Sequence, residues 1–310
     1  MKLEGIHHVS AITGDAPRNV EFYAGTMGMR LVKKTVNQDD PGVYHLFYGD
    51  EKGSPGFDLT FFEYPGAARG RAGSGMVHQV ALRVGSAESL DFWSDRLRSA
   101  GIETVRGEQT LDFQDPEGLS IQLRITATSE APLIPLHPEI PANVAVQGFD
   151  GVRAYAEEPS RSREFLLTAV DFTPRDGDLF VSAGNNRSSF YAYDRAPGVG
   201  TAGAGTVHHV AFASQMDDHA AWRQRVLEAG GHPTPVIDRF YFRSVYFREP
   251  SGVLFEIATL GPGFATDEDP AHLGERLSLP PAFEHLRARV EQSLTPLPNP
   301  RAAAATRAGG

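Results

Sequence analysis

One short phrase, written four times, constrains this chain more than anything else in it. Gly5-Ile6-His7-His8-Val9-Ser10 returns as Thr206-Val207-His208-His209-Val210-Ala211, and as Met76-Val77-His78-Gln79-Val80-Ala81 with one histidine replaced. Gly148-Phe149-Asp150-Gly151-Val152-Arg153 is a fainter fourth copy. Such repetition marks one supersecondary unit copied along the chain. Each copy is too small to bury its own sheet face and must pack on another.

The stretches after the four phrases are also alike. Helical spacing of apolar residues runs over Ala16–Met27, Ala87–Ala100, Pro159–Ala169 and Asp217–Ala229. Two of these stretches stop at Ala-Gly (Ala100-Gly101 and Ala229-Gly230), where glycine accepts the conformation that ends a helix. Alternating apolar strands close each unit. The last strand comes after a tight turn at Asp115-Pro116-Glu117-Gly118 and at Glu249-Pro250-Ser251-Gly252. Each unit therefore reads βαβββ, and the fold class is α+β: four βαβββ modules forming two curved, half-open barrels. Modules one and two occupy residues 1–130 and modules three and four residues 146–265, with a Pro-rich linker at 131–145. Residues 266–310 carry an amphipathic helix expected over Pro281–Leu294 and a tail from Pro298 expected to be disordered.

Composition narrows the function. The 310 residues include no cysteine, which removes disulfides, thiolate metal sites and cysteine nucleophiles. A net charge of −10 without a basic run argues against a nucleic-acid partner, since phosphate binding needs clustered Lys and Arg. No apolar run approaches the ~20 residues of a membrane span. Residues 1–8 contain no apolar signal-peptide core. The expectation is a cytoplasmic protein acting on a small molecule, with a homo-oligomer left open.

Strand alternation then places the chemistry. Every second residue of a strand shares a face. His209 groups with Ala211 and Ala213, while Val210 and Phe212 suit the layer under the helices. The same parity turns His8 inward with Ser10. In Val253-Leu254-Phe255-Glu256-Ile257 a single carboxylate stands among apolar residues, which is expensive unless it is paired or bound to a cation. Modules two and three carry blanks at these columns: Gln79 and Gly151 for the histidine, Gln122 for the glutamate. Thr60 is the blank for the glutamate in module one. If modules one and four pair, one concavity holds His8, His209 and Glu256. A lone strand histidine is more often a satisfied structural residue. Two at equivalent positions plus a buried carboxylate favour a metal, and two His with one carboxylate suit Fe(II) and oxygen chemistry. Zn(II) tolerates the same donors, and Mn(II) is not excluded by them. His45, His137, His219, His232, His272 and His285 lack partner spacing and read as surface or structural residues.

His7-His8-Val9, His208-His209-Val210-Ala211-Phe212 and the run from Asp238 to Thr259 together resemble the vicinal oxygen chelate superfamily. More closely, they resemble its hydroquinone-type ring-cleaving dioxygenases, which act on hydroquinone and chlorinated hydroquinones. The resemblance implies glyoxalase/extradiol-dioxygenase-like half-open barrels and Fe(II) held by His8, His209 and Glu256. It implies a small aromatic diol and O2 as partners. The ring would open next to a hydroxyl-bearing carbon, with both oxygen atoms inserted. It also assigns catalytic roles to His208, Arg239, Tyr246 and Ser10, the last where the family usually has Thr. Arg239 would hold developing negative charge, and His208 or Tyr246 would move protons. Simple parity turns His208 away from the cavity, so a bulge is needed there. Alternatives on the same fold are a catechol-type extradiol dioxygenase, a glyoxalase-like isomerase or lyase, and a non-catalytic module that sequesters aromatics. The catechol enzymes use a histidine of module three, where this chain has Gly151.

Overall fold

The computed structural model describes residues 1–301. Most of the expected tail lies outside the described residues. Module one runs β1 (Ile6–Thr13), α1 (Ala16–Val20), β2 (Arg30–Asn37), β3 (Asp40–Gly49) and β4 (Asp58–Glu63). Module two runs β5 (Met76–Val84), α2 (Ala87–Ser99), β6 (Thr104–Arg106), β7 (Thr110–Gln114) and β8 (Ser120–Ile125). Module three comprises β9 (Phe149–Ala156), α3 (Ser160–Thr168), β10 (Thr173–Pro174), β11 (Leu179–Ala183) and β12 (Ser188–Arg195). Module four comprises β13 (Val207–Ser214), α4 (His219–Glu228), β14 (Ile237–Asp238), β15 (Phe242–Arg248) and β16 (Leu254–Pro262).

The modules pair as two eight-stranded sheets. One has the order β14-β15-β16-β13-β1-β4-β3-β2 and the other β10-β11-β12-β9-β5-β8-β7-β6. Module one thus shares a sheet with module four, and module two with module three. Each sheet cuts across the sequential halves 1–130 and 146–265. The repeated valine of each phrase (Val9, Val80, Val152, Val210) is completely buried under the helix layer, as alternation requires. α1 is shorter than its apolar spacing implies. After Val20 the backbone is π-helical over Glu21–Thr26, and the neighbours Phe22 and Tyr23 are both buried.

The two Pro/Gly turns are stapled alike. The Asp115 carboxylate accepts the Glu117 and Leu119 N–H groups (2.9 and 2.8 Å) and the Tyr23 hydroxyl (2.9 Å) of module one. Glu249 accepts the Ser251 and Val253 N–H groups (both 2.9 Å) and the Tyr193 hydroxyl (2.7 Å) of module three. Asp115→Ala leaves two buried donors and one half-buried donor without an acceptor. It is expected to destabilise the fold by about 3 kcal/mol, read as a lowered midpoint in chemical denaturation. An unchanged midpoint would show that the staple carries no weight.

Beyond β16 the chain returns to the edge strand β2. Ser278 donates its N–H to the Lys34 carbonyl (2.9 Å), which helps cover an edge that would otherwise be free to pair. The single helix expected over Pro281–Leu294 is split: Pro281–Leu286 is 3-10 and only Arg287–Ser293, α5, is α-helical. No helix among the described residues is long and apolar enough to cross a membrane.

Candidate metal centre

The seam between β1 and β13 shows how neighbouring histidines come to face one another. His8 pairs with Ala211, Val9 with Val210 and Ser10 with His209, but Ile6 pairs with Phe212 and Ala11 with Val207. One residue on each strand is therefore extra: His7 on β1 and His208 on β13. The bulge required at His208 is present, and β1 carries its counterpart. Each bulge resets the alternation locally, so the rings of His7 and His8 meet through their Nδ1 atoms at 3.0 Å, and those of His208 and His209 at 2.8 Å.

Glu256, Ala211 and His8 stand in one row across β16, β13 and β1. Ala211 offers only a methyl group, and Glu256 and His8 meet over it. Their atoms and His209 form a nearly equilateral triangle. His8 Nε2 lies 3.1 Å from Glu256 Oε2, His209 Nε2 lies 2.9 Å from the same oxygen, and the two Nε2 atoms are 3.1 Å apart. Donors on adjacent octahedral positions about a cation bonded at roughly 2.1 Å sit about 3.0 Å apart. Three nearly equal edges of that length match one triangular face of such an octahedron.

The chemistry of the donors agrees with that geometry. Glu256 is fully buried, yet neither of its oxygens has a hydrogen-bond partner of acceptable geometry. Burial alone would push its pKa up, but His8 and His209 hold it well below the usual carboxylate range. A buried anion with no hydrogen bond is untenable unless a cation faces it. These residues fit a divalent metal. A bound metal would also fix where the protons go. If Nε2 of His8 and His209 must offer lone pairs, their Nδ1–H groups donate to Nδ1 of His7 and His208. His208 is then left with its proton on Nε2. Burial, reinforced by the neighbouring imidazole, lowers His7 to about 3 and His208 to about 4, so both are neutral near pH 7.

Around the triangle lies a cavity of about 350 Å³, ample for a single aromatic ring. Phe47, Phe62, Phe242 and Tyr241 supply apolar wall. His208, Arg239 and Tyr246 line it together with His8 and His209. The Tyr246 ring meets His209 edge-on at 5.7 Å. Arg239 lies over the Tyr246 ring and grips Asp39 with both terminal nitrogens (2.9 and 2.8 Å), joining module four to the β2–β3 hairpin. Burial works against the Arg239 charge, but Asp39 and Tyr246 together more than offset it and hold the guanidinium protonated. Ser10 stands one step behind the cavity: its hydroxyl bonds to Thr60 Oγ1 at 2.7 Å.

One residue was missed by sequence reasoning. His45, expected to be a surface or structural residue, is on β3 and lines the cavity. The alternation of Tyr44, Leu46 and Tyr48 against His45 and Phe47 is the signal that could have found it. The second sheet, by contrast, is filled. Asp112 accepts the amides of Gln79 (3.0 Å) and Gln122 (2.8 Å). A Cβ on Gly151 would come within 2.4 Å of the Phe190 ring, so a histidine there has no room.

This fold and this donor set define the class. The chain belongs to the Glyoxalase/Bleomycin resistance protein/Dioxygenase superfamily, whose family model matches residues 5–123 and 145–257. Within it, the chain is 39% identical over 304 residues to "Putative ring-cleaving dioxygenase MhqO" of Bacillus subtilis, covering 95% of this chain and 97% of that one. It is 33% identical to the chlorohydroquinone/hydroquinone 1,2-dioxygenase of Sphingobium indicum, covering 94% and 96%. A crystal structure of a dioxygenase from Bacillus subtilis, itself described as "putative", superposes with a TM-score of 0.88 at 38% identity over 96% of this chain and 98% of that one. Glyoxalase I of Zea mays shares the fold, with a TM-score of 0.58 at 17% identity over 82% of this chain and 92% of that one. These relatives place the chain among the ring-cleaving dioxygenases.

Proposed function

We propose that this chain is an Fe(II)-dependent dioxygenase that opens the ring of hydroquinone, or of a substituted hydroquinone such as a chlorinated one, next to a hydroxyl-bearing carbon. Both atoms of O2 enter the product. The observation that carries the reading is the triangle of two imidazole nitrogens and one carboxylate oxygen with edges of 2.9, 3.1 and 3.1 Å. That donor set on one face leaves neighbouring positions for substrate and oxygen, the pattern of non-haem Fe(II) oxygenases. The Sphingobium relative's name supports the choice of diol. A catechol-type arrangement with a ligand from module three finds Gly151 and Phe190 in its way.

When bound, the metal supplies Lewis acidity that eases loss of a phenolic proton and a path for electrons from ring to oxygen. The remaining work falls to the chain. The phenylalanine walls exclude water and hold the ring flat. His208, with its proton on Nε2 and neutral at pH 7, donates a hydrogen bond through that N–H to an oxygen in the cavity, where negative charge would develop. Tyr246 stays a phenol, because burial and then Glu256 push its pKa up; its hydroxyl donates a hydrogen bond rather than carrying charge. Arg239 is the fixed cation toward which negative charge develops. Arg239→Ala is expected to keep full iron content and lower kcat about 10²-fold; loss of iron instead would mean that Arg239 shapes the metal site.

The function is tested by oxygen uptake. Protein purified without air and loaded with iron is expected to consume one O2 per hydroquinone and to act poorly on catechol. Uptake with catechol alone would favour the catechol reading. No uptake with either would point to an isomerase or a binding module.

A further inference from the structure

We propose that His45 recognises the second hydroxyl of the substrate, the one across the ring from the metal, and so sets the preference for a 1,4-diol. The inference rests on the hydroquinone reading and names the residue that makes it specific. His45 belongs to β3, and β4 separates β3 from β1, which carries His8. At a strand spacing of about 4.8 Å, the two backbones are roughly 10 Å apart. His8 and His45 both line the cavity of about 350 Å³, which has room for one aromatic ring.

The ring of His45 is held fast. It lies between Phe47 and Phe62, with ring centroids at 4.0 and 4.2 Å. Its Nε2 bonds to Thr60 Oγ1 at 2.9 Å, and Thr60 Oγ1 to Ser10 Oγ at 2.7 Å. Proton counting fixes the direction of this chain. Ser10 is fully buried and its hydroxyl makes no hydrogen bond among the described residues except with Thr60, so only donation to Thr60 keeps its proton from being stranded. Thr60 must then donate its own proton to His45 Nε2. The proton of a neutral His45 consequently sits on Nδ1. That nitrogen makes no hydrogen bond among the described residues and is not completely buried, and the residue that carries it lines the cavity.

His45 therefore offers a single oriented N–H donor on the wall facing the triad. Burial, with His8 and His209 adding to it, keeps the imidazole neutral, so it is a hydrogen-bond donor and not a competing cation. A 1,4-diol carries an oxygen to that wall. A 1,2-diol holds both oxygens on the metal side and leaves the donor unanswered. An unmatched polar group in a partly dry cavity selects against the ligand that fails to meet it. Ser10 and Thr60 act through His45 as positioning residues.

The test compares anaerobic binding of hydroquinone and phenol to the iron-loaded full chain. Phenol keeps the metal-side hydroxyl and lacks the second one. The wild type is expected to bind hydroquinone about tenfold more tightly than phenol, the worth of one neutral hydrogen bond. His45→Phe should erase that preference by weakening hydroquinone alone, with phenol affinity and iron content unchanged. His45→Gln, which keeps an N–H donor, should restore part of it. If His45→Phe does not fold, Thr60→Val, which frees the imidazole, should reduce the preference several-fold. A tenfold preference retained in His45→Phe, or in Thr60→Val where that variant must stand in, overturns the assignment. If the wild type cleaves hydroquinone while the preference survives, only the role of His45 falls. If the wild type neither binds hydroquinone nor consumes oxygen with it, the hydroquinone reading falls first and this inference with it.

Discussion

His8→Ala is expected to leave a folded protein that neither retains iron nor consumes oxygen. His8 supplies one corner of a triangle whose other corners come from residues 209 and 256, so its loss removes a third of the donor set. The remaining imidazole and carboxylate cannot define a facial site. Removing even an outer partner of a metal ligand typically weakens binding 10- to 100-fold, and removing a ligand should exceed that. The fold should survive, because β1 keeps its backbone pairing to β13 and β4, and Val9 remains buried beneath it. Iron per chain after anaerobic desalting, together with a thermal melt, separates the two effects. Iron retained at wild-type level in a folded variant would show that module one contributes no ligand.

The largest expected loss of stability lies elsewhere, at Lys33. Its side chain is fully buried on β2. The ammonium donates to Asp267 Oδ1 at 2.7 Å, to Glu268 and to the Phe264 carbonyl at 3.1 Å, and it lies 4.7 Å above the Tyr241 ring. Lys33→Met leaves the buried Glu268 carboxylate without its cation. Breaking such a pair on one side costs about 3–5 kcal/mol, or roughly 10 °C in the melting temperature of a chain this size. The effect should reach the cavity, because Tyr241 donates to Asp267 (2.9 Å) and forms part of the wall. Replacing both Lys33 and Glu268 with apolar residues should recover much of the loss. A Lys33→Met protein with unchanged melting temperature would mean that the C-terminal segment is held by its apolar contacts alone.

The depth to which the sequence could be read differs from part to part. The βαβββ unit, its tight turns and the three triad residues were all legible, because each is a column in a fourfold repeat. Glu256 stands out only when Gln122 and Thr60 are set beside it, and His209 only beside Gly151 and Gln79. What repetition cannot show is a residue that one module alone possesses. His45 is such a case: on the matching strand of module two, β7, its place is taken by Thr110. Contacts between distant segments were equally hidden. Asp39 and Arg239 are 200 positions apart, and nothing in either neighbourhood announces the other. The π-helical turn after Val20 left no trace in an apolar spacing that suits an ordinary helix. The C-terminal helix was overestimated because its apolar residues keep their spacing through a 3-10 segment that starts at Pro281.

The proposal on which the rest of the chemistry depends is a single divalent cation held by His8, His209 and Glu256 at once. Titrating iron into air-free protein while recording its X-ray absorption tests that claim most directly. One iron per chain is predicted, with two imidazoles and a carboxylate in its scattering shell, and Glu256→Ala should abolish the binding. An iron surrounded by oxygen donors alone, or one that survives the loss of Glu256, would contradict it.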